Sequence, residues 1–326
     1  MGGQPVRLLV EGVPRVPGKT LAHRADAFRR HADGIRRAVT REPRGHPDVL
    51  VAFLIEPVVP GAHAGVLFMD AHGYRPLSGH GIIAATTIAI ERSLIFSHEA
   101  GPEMRLTLDT IAGTVHARAR VEVRGGRTRV DAIAFTNVPA FVDTGGHAVT
   151  VAGRTFRVDV AYGGLFYAIV DTEAVGIPLA GARLPDLRRF AVSTLAALNA
   201  SIDVAHPLGR KADAVAGVIF TGPAQDPEAQ LRTVTVTSGG LVNRSPGGTA
   251  MSAVMSVLDA MGLLQDDQPF VLEGVAGALF RGRVIGRTVV GELPALSTEV
   301  EGSAWITGEH TFHLDDDDPF REGFLL

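Results

Sequence analysis

The chain has 326 residues, 46% hydrophobic and 20% charged, with 31 Lys and Arg against 35 Asp and Glu for a formal net charge of −4. This is a globular composition with length enough for two lobes, and its mild acidity gives no reason to expect a nucleic-acid partner. The sequence contains no cysteine, which excludes disulfides and thiolate chemistry. No apolar run reaches membrane-spanning length. The opening Met1-Gly2-Gly3-Gln4-Pro5 lacks the charged-then-apolar order of a secretory leader, so no membrane partner is expected and a cytoplasmic location is. No His-x-x-x-His or Glu-x-x-His spacing supports a metal site.

In chain order, Val6 to Val10 reads as a strand and 12–19 as a Pro/Gly-rich turn. Leu21 to Val39 is a basic amphipathic helix whose arginines form a solvated outer face. After the polar loop 41–47, Val49 to Ile55 and Gly65 to Met69 read as buried strands. The turn Pro76-Leu77-Ser78-Gly79-His80-Gly81 then opens an apolar helix running to about Ser93. Strands are expected at 105–108, 114–123 and 127–135, with Gly125-Gly126 as a hairpin signal. Val138-Pro139 marks a lobe boundary.

The second half repeats the mix. Strands are expected at 149–151, 155–160, 166–170, 214–220 and 232–237, with an amphipathic helix over Leu184 to Leu198. A second Gly-rich turn, Arg244-Ser245-Pro246-Gly247-Gly248-Thr249, opens the apolar helix Ala250 to Met261. The stretch from Val271 to Thr311 reads as β. Asp315 to Asp318 reads as a solvated acidic face, because four adjacent carboxylates do not converge on a cation without a shaped loop. Two helices that are apolar almost all round suit enclosure by sheet. The expected architecture is therefore α+β, in two similar lobes that each wrap a mostly antiparallel sheet around a central helix. The N-terminal lobe covers 1–138, joined by about 303–326, and the C-terminal lobe covers 139–302.

The two turns carry the chemistry. Ser78 is a good N-cap, and a glycine-rich first turn leaves backbone N–H groups uncovered beside the positive end of the helix dipole. Such an end receives anions. One in each half suggests a duplicated fold with a small acid held between the helix starts. Gly79, His80, Gly81, Asn243, Gly247, Gly248 and Thr249 are the candidate binding residues, and Ser78 and His80 the candidate proton-handling pair. Each has a plainer alternative. Ser78 caps, Asn243 braces its turn, and the glycines satisfy steric needs of the turns.

Glu42-Pro43-Arg44-Gly45-His46 with Asp48, Phe68-Met69-Asp70, Gly79-His80-Gly81, Gly163-Gly164 with Phe166-Tyr167-Ala168, Arg244-Ser245-Pro246 with Gly248-Thr249, and Asp318-Pro319-Phe320 with Gly323-Phe324 resemble the proline racemase family, motif by motif and in order. The resemblance implies the diaminopimelate-epimerase-like fold, with two pseudo-symmetric lobes. It also implies cofactor-free removal of the α-proton of proline or a hydroxyproline. The substrate is then a small amino or imino acid, its carboxylate on helix-start amides, and a homodimer is compatible with this reading. The opening residues are similar to a Thr-Gly-Gly-Glu-Pro segment that a strand usually precedes, so a longer natural N-terminus is expected.

The resemblance also implies a cysteine on each side of the α-carbon. Here Ser78 and Gly247 stand at those positions, Asn243 replaces an expected Asp, and Leu50 and Val51 replace an aromatic and a glycine. Inversion needs an acceptor on one face and a donor on the other, and Gly247 has no side chain to serve. A helix start favours an ionised hydroxyl by only about 1 kcal/mol, so Ser78 needs a base, and His80 is the nearest in sequence, an imidazole expected to titrate near neutrality. A one-sided site fits the trans-3-hydroxyproline dehydratase branch best. Racemisation or 4-hydroxyproline epimerisation is the alternative. A non-catalytic carboxylate binder is a third reading. Isomerisation of another acid is a fourth, by similarity to the phenazine-pathway branch of the fold; it would bring Glu42 or Asp70 into the site and is motivated by the space expected beside Gly247.

Overall fold

The computed structural model describes residues 1–96, 101–209, 214–266 and 268–325. The chain divides into two compact units, one of Met1, Gly3–Phe135 and Ser303–Leu326, the other of Gly2 and Thr136–Gly302. Each unit is α+β.

The first unit contains strands β1 (Val6–Leu9), β2 (Leu50–Ile55), β3 (Ala64–Asp70), β4 (Gly73–Arg75), β5 (Glu103–Thr110), β6 (Gly113–Arg124) and β7 (Arg127–Thr136), with helices α1 (Leu21–Thr40) and α2 (Gly79–Glu91). β1 pairs parallel with β2 and β3 with β5, and the other pairings are antiparallel. Alternation along β2 and β3 sorts their side chains onto two faces. Val51, Phe53, Leu67 and Met69 meet Leu21, Ala25, Phe28 and Val39 of α1. Leu50 and Phe68, on the other face, lie under Gly81 of α2.

Gly79 and Gly81 each cost α2 about 1 kcal/mol against alanine. Ile82, Ile83 and Ile90 are at most 4% exposed, and each buried isoleucine stabilises by about 1.5–3 kcal/mol, so tertiary burial decides the helix. Gly81 is required, since a Cβ there would come within 2.6 Å of the Phe68 ring and 2.8 Å of Leu50.

The second unit contains β8 (Ala140–Val151), β9 (Arg154–Tyr162), β10 (Phe166–Asp171), β11 (Gly217–Gly222), β12 (Leu231–Thr237), β13 (Val242–Asn243), β14 (Phe270–Gly274), β15 (Leu279–Val290) and β16 (Leu293–Gly302), with α3 (Thr172–Val175), α4 (Leu184–Asn199) and α5 (Gly248–Ala260). The strands run β16-β15-β14-β12-β11-β10-β9-β8 and close by a β8–β16 pairing at Phe141↔Ala295 and Ala140↔Leu296. α5 packs on β8, β9, β10, β15 and β16, and Gly248 through Val257 are all buried. α4 covers another face, with Leu187, Ala191, Leu195 and Leu198 in one apolar cluster with Phe220, Val234 and Val236.

Two expectations need correction. The strand expected at 149–151 begins at Ala140. Asp143-Thr144-Gly145-Gly146 is bulged strand, with register shifts at Val142/Thr144 and Thr144/His147 and Gly146 at φ 62°. The β reading of 271–311 holds only to Gly302, and 303–311 has no regular structure. The tail instead fastens to the loop after α1, where Glu42 bridges Phe324 and Arg44 pairs with Asp318 at 2.9 Å.

Candidate active site

Ser78 precedes α2 in extended backbone, φ −143° and ψ 112°. Its Oγ accepts the Gly81 N–H at 3.2 Å, and its carbonyl accepts the Ile82 N–H at 2.8 Å. The capping role is therefore real, and it leaves the hydroxyl proton available. His80 Nε2 lies 3.5 Å from that Oγ, the long limit for a hydrogen bond, although catalytic contacts of this kind are often long before substrate binds.

His80 keeps part of its surface exposed. Its imidazole is nonetheless pushed down to about 3, first by burial, then by the positive charges of the Met1 amino group and Arg75. The expectation that it titrates near neutrality is corrected: the ring is neutral at pH 7. It can accept the Ser78 proton, but it is a weak base until a negative charge arrives beside it.

Arg75 is placed by Asp70, which is 5% exposed. Asp70 accepts the Arg75 Nε–H at 2.5 Å with one oxygen and the His72 and Gly73 N–H groups, at 2.8 and 3.1 Å, with the other. Arg36 of α1 donates to the Asp70 and Ala71 carbonyls at 2.9 Å and is paired with Asp33, whose carboxyl is lowered to about 2 chiefly by that bond. Asp70 thus braces the approach to Ser78. Glu42 joins the Phe324 bridge through its backbone, and His46 Nδ1 accepts the Asp48 N–H at 3.2 Å, so both tie loops together.

Gly247 precedes α5 with φ 80° and ψ 118°, and no side chain caps this helix. A Cβ at Gly247 would sit 3.1 Å from Asn243 Nδ2 and 3.2 Å from the Ala250 Cβ. The open space expected there is therefore corrected, since a side chain would be both crowded and strained by the left-handed backbone. Asn243 Oδ1 accepts from Ser245 N–H at 3.1 Å and Ser245 Oγ–H at 2.8 Å, which holds the turn. Gly247 gives the first-turn N–H groups of α5 no side-chain cap of the Ser78 kind, and helix starts of that sort receive anions.

Several supporting residues carry no role in the sequence reading. The Tyr167 hydroxyl lies 2.8 Å from Thr249 Oγ1. Asn137 Nδ2 donates to the Gly163 carbonyl and to Ser252 Oγ, both at 2.8 Å, and the Gly248 carbonyl accepts from Ser252 Oγ at 3.2 Å. Gly163 must be glycine, because a Cβ would fall 2.1 Å from the Thr249 carbonyl. The Gly163-Gly164 and Phe166-Tyr167 motifs were visible in the sequence, but their link to Thr249 needs the β10 register. A surface hollow of about 290 Å³ beside His23, Asp26, Arg30 and His31 contains none of these residues. Among the described residues no cluster of three or more His, Asp or Glu could hold a metal, and no helix is long and apolar enough to cross a membrane.

The family model for proline racemase matches residues 1–325. A 3-hydroxyproline 2-epimerase of Burkholderia multivorans is 36% identical over 326 residues, 100% of this chain and 96% of that protein. A trans-3-hydroxy-L-proline dehydratase of Azospirillum brasilense is 36% identical over 326 residues, with the same coverage of both chains. The crystal structure of a hydroxyproline epimerase from Agrobacterium vitis, with bound trans-4-hydroxy-L-proline, superposes with a TM-score of 0.88 at 30% identity, covering 100% of this chain and 93% of that one. The fold is thus diaminopimelate-epimerase-like, and the chain belongs to the proline racemase family.

Proposed function

We propose that this chain is a cofactor-independent lyase that removes the α-proton of a pyrrolidine-2-carboxylate, of the trans-3-hydroxy-L-proline dehydratase type. The observation that carries this reading is the asymmetry of the two helix starts. Ser78 and His80 form a proton-handling pair, whereas Gly247 has no side chain and a backbone that resists one. The chain is 36% identical both to the Azospirillum dehydratase and to the Burkholderia 3-hydroxyproline 2-epimerase, so the choice between them rests on this asymmetry. The first-turn amides of a glycine-opened helix serve as the carboxylate receptor. A carboxylate beside His80 raises its depressed pKa and so makes it a better base.

The base takes hydrogen from C2 as a proton. The C2–H electron pair forms the C2–C3 double bond, and the C3–O bond breaks. The abstracted proton returns to the departing hydroxide as water, and the enamine tautomerises to a cyclic imine. One acid/base group suffices, because no proton is delivered to the opposite face of C2. Incubation of the purified chain in deuterated water with L-proline, trans-4-hydroxy-L-proline and trans-3-hydroxy-L-proline tests the reading. Loss of water from the third supports it, and epimerisation of either of the first two overturns it in favour of a racemase or epimerase.

The low pKa of His80 favours a second reading, a carboxylate binder without turnover. Calorimetric binding of pyrrole-2-carboxylate, with no α-deuterium exchange in any proline analogue, would select it.

A further inference from the structure

We infer that Thr235 is a specificity residue whose hydroxyl receives the ring hydroxyl of a hydroxylated pyrrolidine-2-carboxylate at the start of α5. This rests on the reading above that the substrate is a pyrrolidine-2-carboxylate. β12 alternates: Val234 and Val236 join the apolar cluster with α4, which sends Thr233 and Thr235 to the opposite face. Thr233 Oγ1 donates to the Phe220 carbonyl at 3.0 Å. Thr235 is 3% exposed, and its Oγ1 has no hydrogen-bond partner among the described residues. An unpaired buried hydroxyl is costly, and valine, used at both neighbouring positions, fills the same volume in a strand without that cost.

Two independent ties bring this face to the first turn of α5. Thr235 is the antiparallel partner of Asn243, and such partners share a face. The Asn243 Nδ2 atom lies 3.1 Å from where a Cβ of Gly247 would be. Across the sheet, Thr235 pairs with Ile219 and Ile219 with Ile169. Tyr167, two residues before Ile169 and on the same face, reaches Thr249 Oγ1 at 2.8 Å. The unpaired hydroxyl therefore shares a face of the sheet with the residues that touch the first turn of α5.

The test uses the full chain with L-proline, trans-3-hydroxy-L-proline and trans-4-hydroxy-L-proline, read as kcat/KM where the compound reacts and as Kd where it does not. The wild type is expected to prefer a hydroxylated ring over proline by about three- to ten-fold. Thr235→Val should abolish that preference, leave proline unchanged and raise the unfolding midpoint by about 2–4 °C. Thr235→Ser should keep the preference. An unchanged preference in Thr235→Val, or a lowered midpoint, overturns the inference while leaving the proposed function intact. Failure of the wild type to engage all three compounds removes the substrate reading and this inference with it.

Discussion

Ser78 and Gly247 each stand immediately before a buried helix, and they differ by more than one side chain. Ser78 has the extended backbone any residue adopts, and its hydroxyl caps Gly81 while lying near His80. Gly247 has φ 80°, no cap, and Asn243 and Ala250 crowding the place a Cβ would take. A substitution from an acid/base residue to glycine would be easy to reverse if only the side chain were gone. Here the backbone itself lies in a region where a side chain is penalised, so the two helix starts differ in conformation as well as chemistry.

The largest expected effect concerns the pair at α2. Replacing His80 by Asn should lower α-deuterium exchange by about 10²- to 10⁴-fold with an unaltered circular dichroism spectrum. Unchanged exchange would remove His80 from the chemistry. Next, Gly247→Cys should cost about 1–3 kcal/mol of stability through backbone strain, with crowding added, and should not create racemase activity. Ser78→Cys, in extended backbone, should change stability by less than about 1 kcal/mol. Racemisation by the Gly247→Cys chain at undiminished stability would break the comparison.

The pH dependence sharpens it further. The folded pKa of His80, about 3, lies below the unfolded value of about 6.5. Between those values the unfolded chain binds a proton that the folded chain does not, so stability rises with pH and is lost as pH falls from 6.5 toward 3. Urea midpoints at pH 7 and pH 4.5 should therefore fall further in the wild type than in His80→Gln. Equal falls would mean that the imidazole is not held neutral by its surroundings. The smallest effect is the cap alone. Ser78→Ala should cost about 1 kcal/mol and Ser78→Gly only a few tenths, as read from denaturant midpoints.

Much of this was legible in the chain. The glycine-flanked starts of α2 and α5, and their apolar bodies, mark helices meant for enclosure. The ordered motifs from Glu42 to Phe324 carry the family. Conformation was not legible. Gly247 reads as an empty place, because a one-letter code does not report φ. The depressed pKa of His80 comes first from burial, then from the Met1 amino group and from Arg75, which Asp70 positions through a hairpin. Thr235 looks like any strand threonine until its register with Asn243 is known. Sequence pattern gives element type and local capping; long-range register and electrostatic neighbourhood come only with the fold.

The closed circuit of strands from β8 to β16 has a consequence for association. Each of its eight members has a hydrogen-bonded neighbour on both sides, but the closure is short: β8 meets β16 only at Ala140 and Phe141, and from Val142 to Val151 the described pairings are to β9 alone. A foreign strand therefore finds its opening along that stretch of β8, where the register shifts at Val142/Thr144 and Thr144/His147 disturb the regular edge it would need.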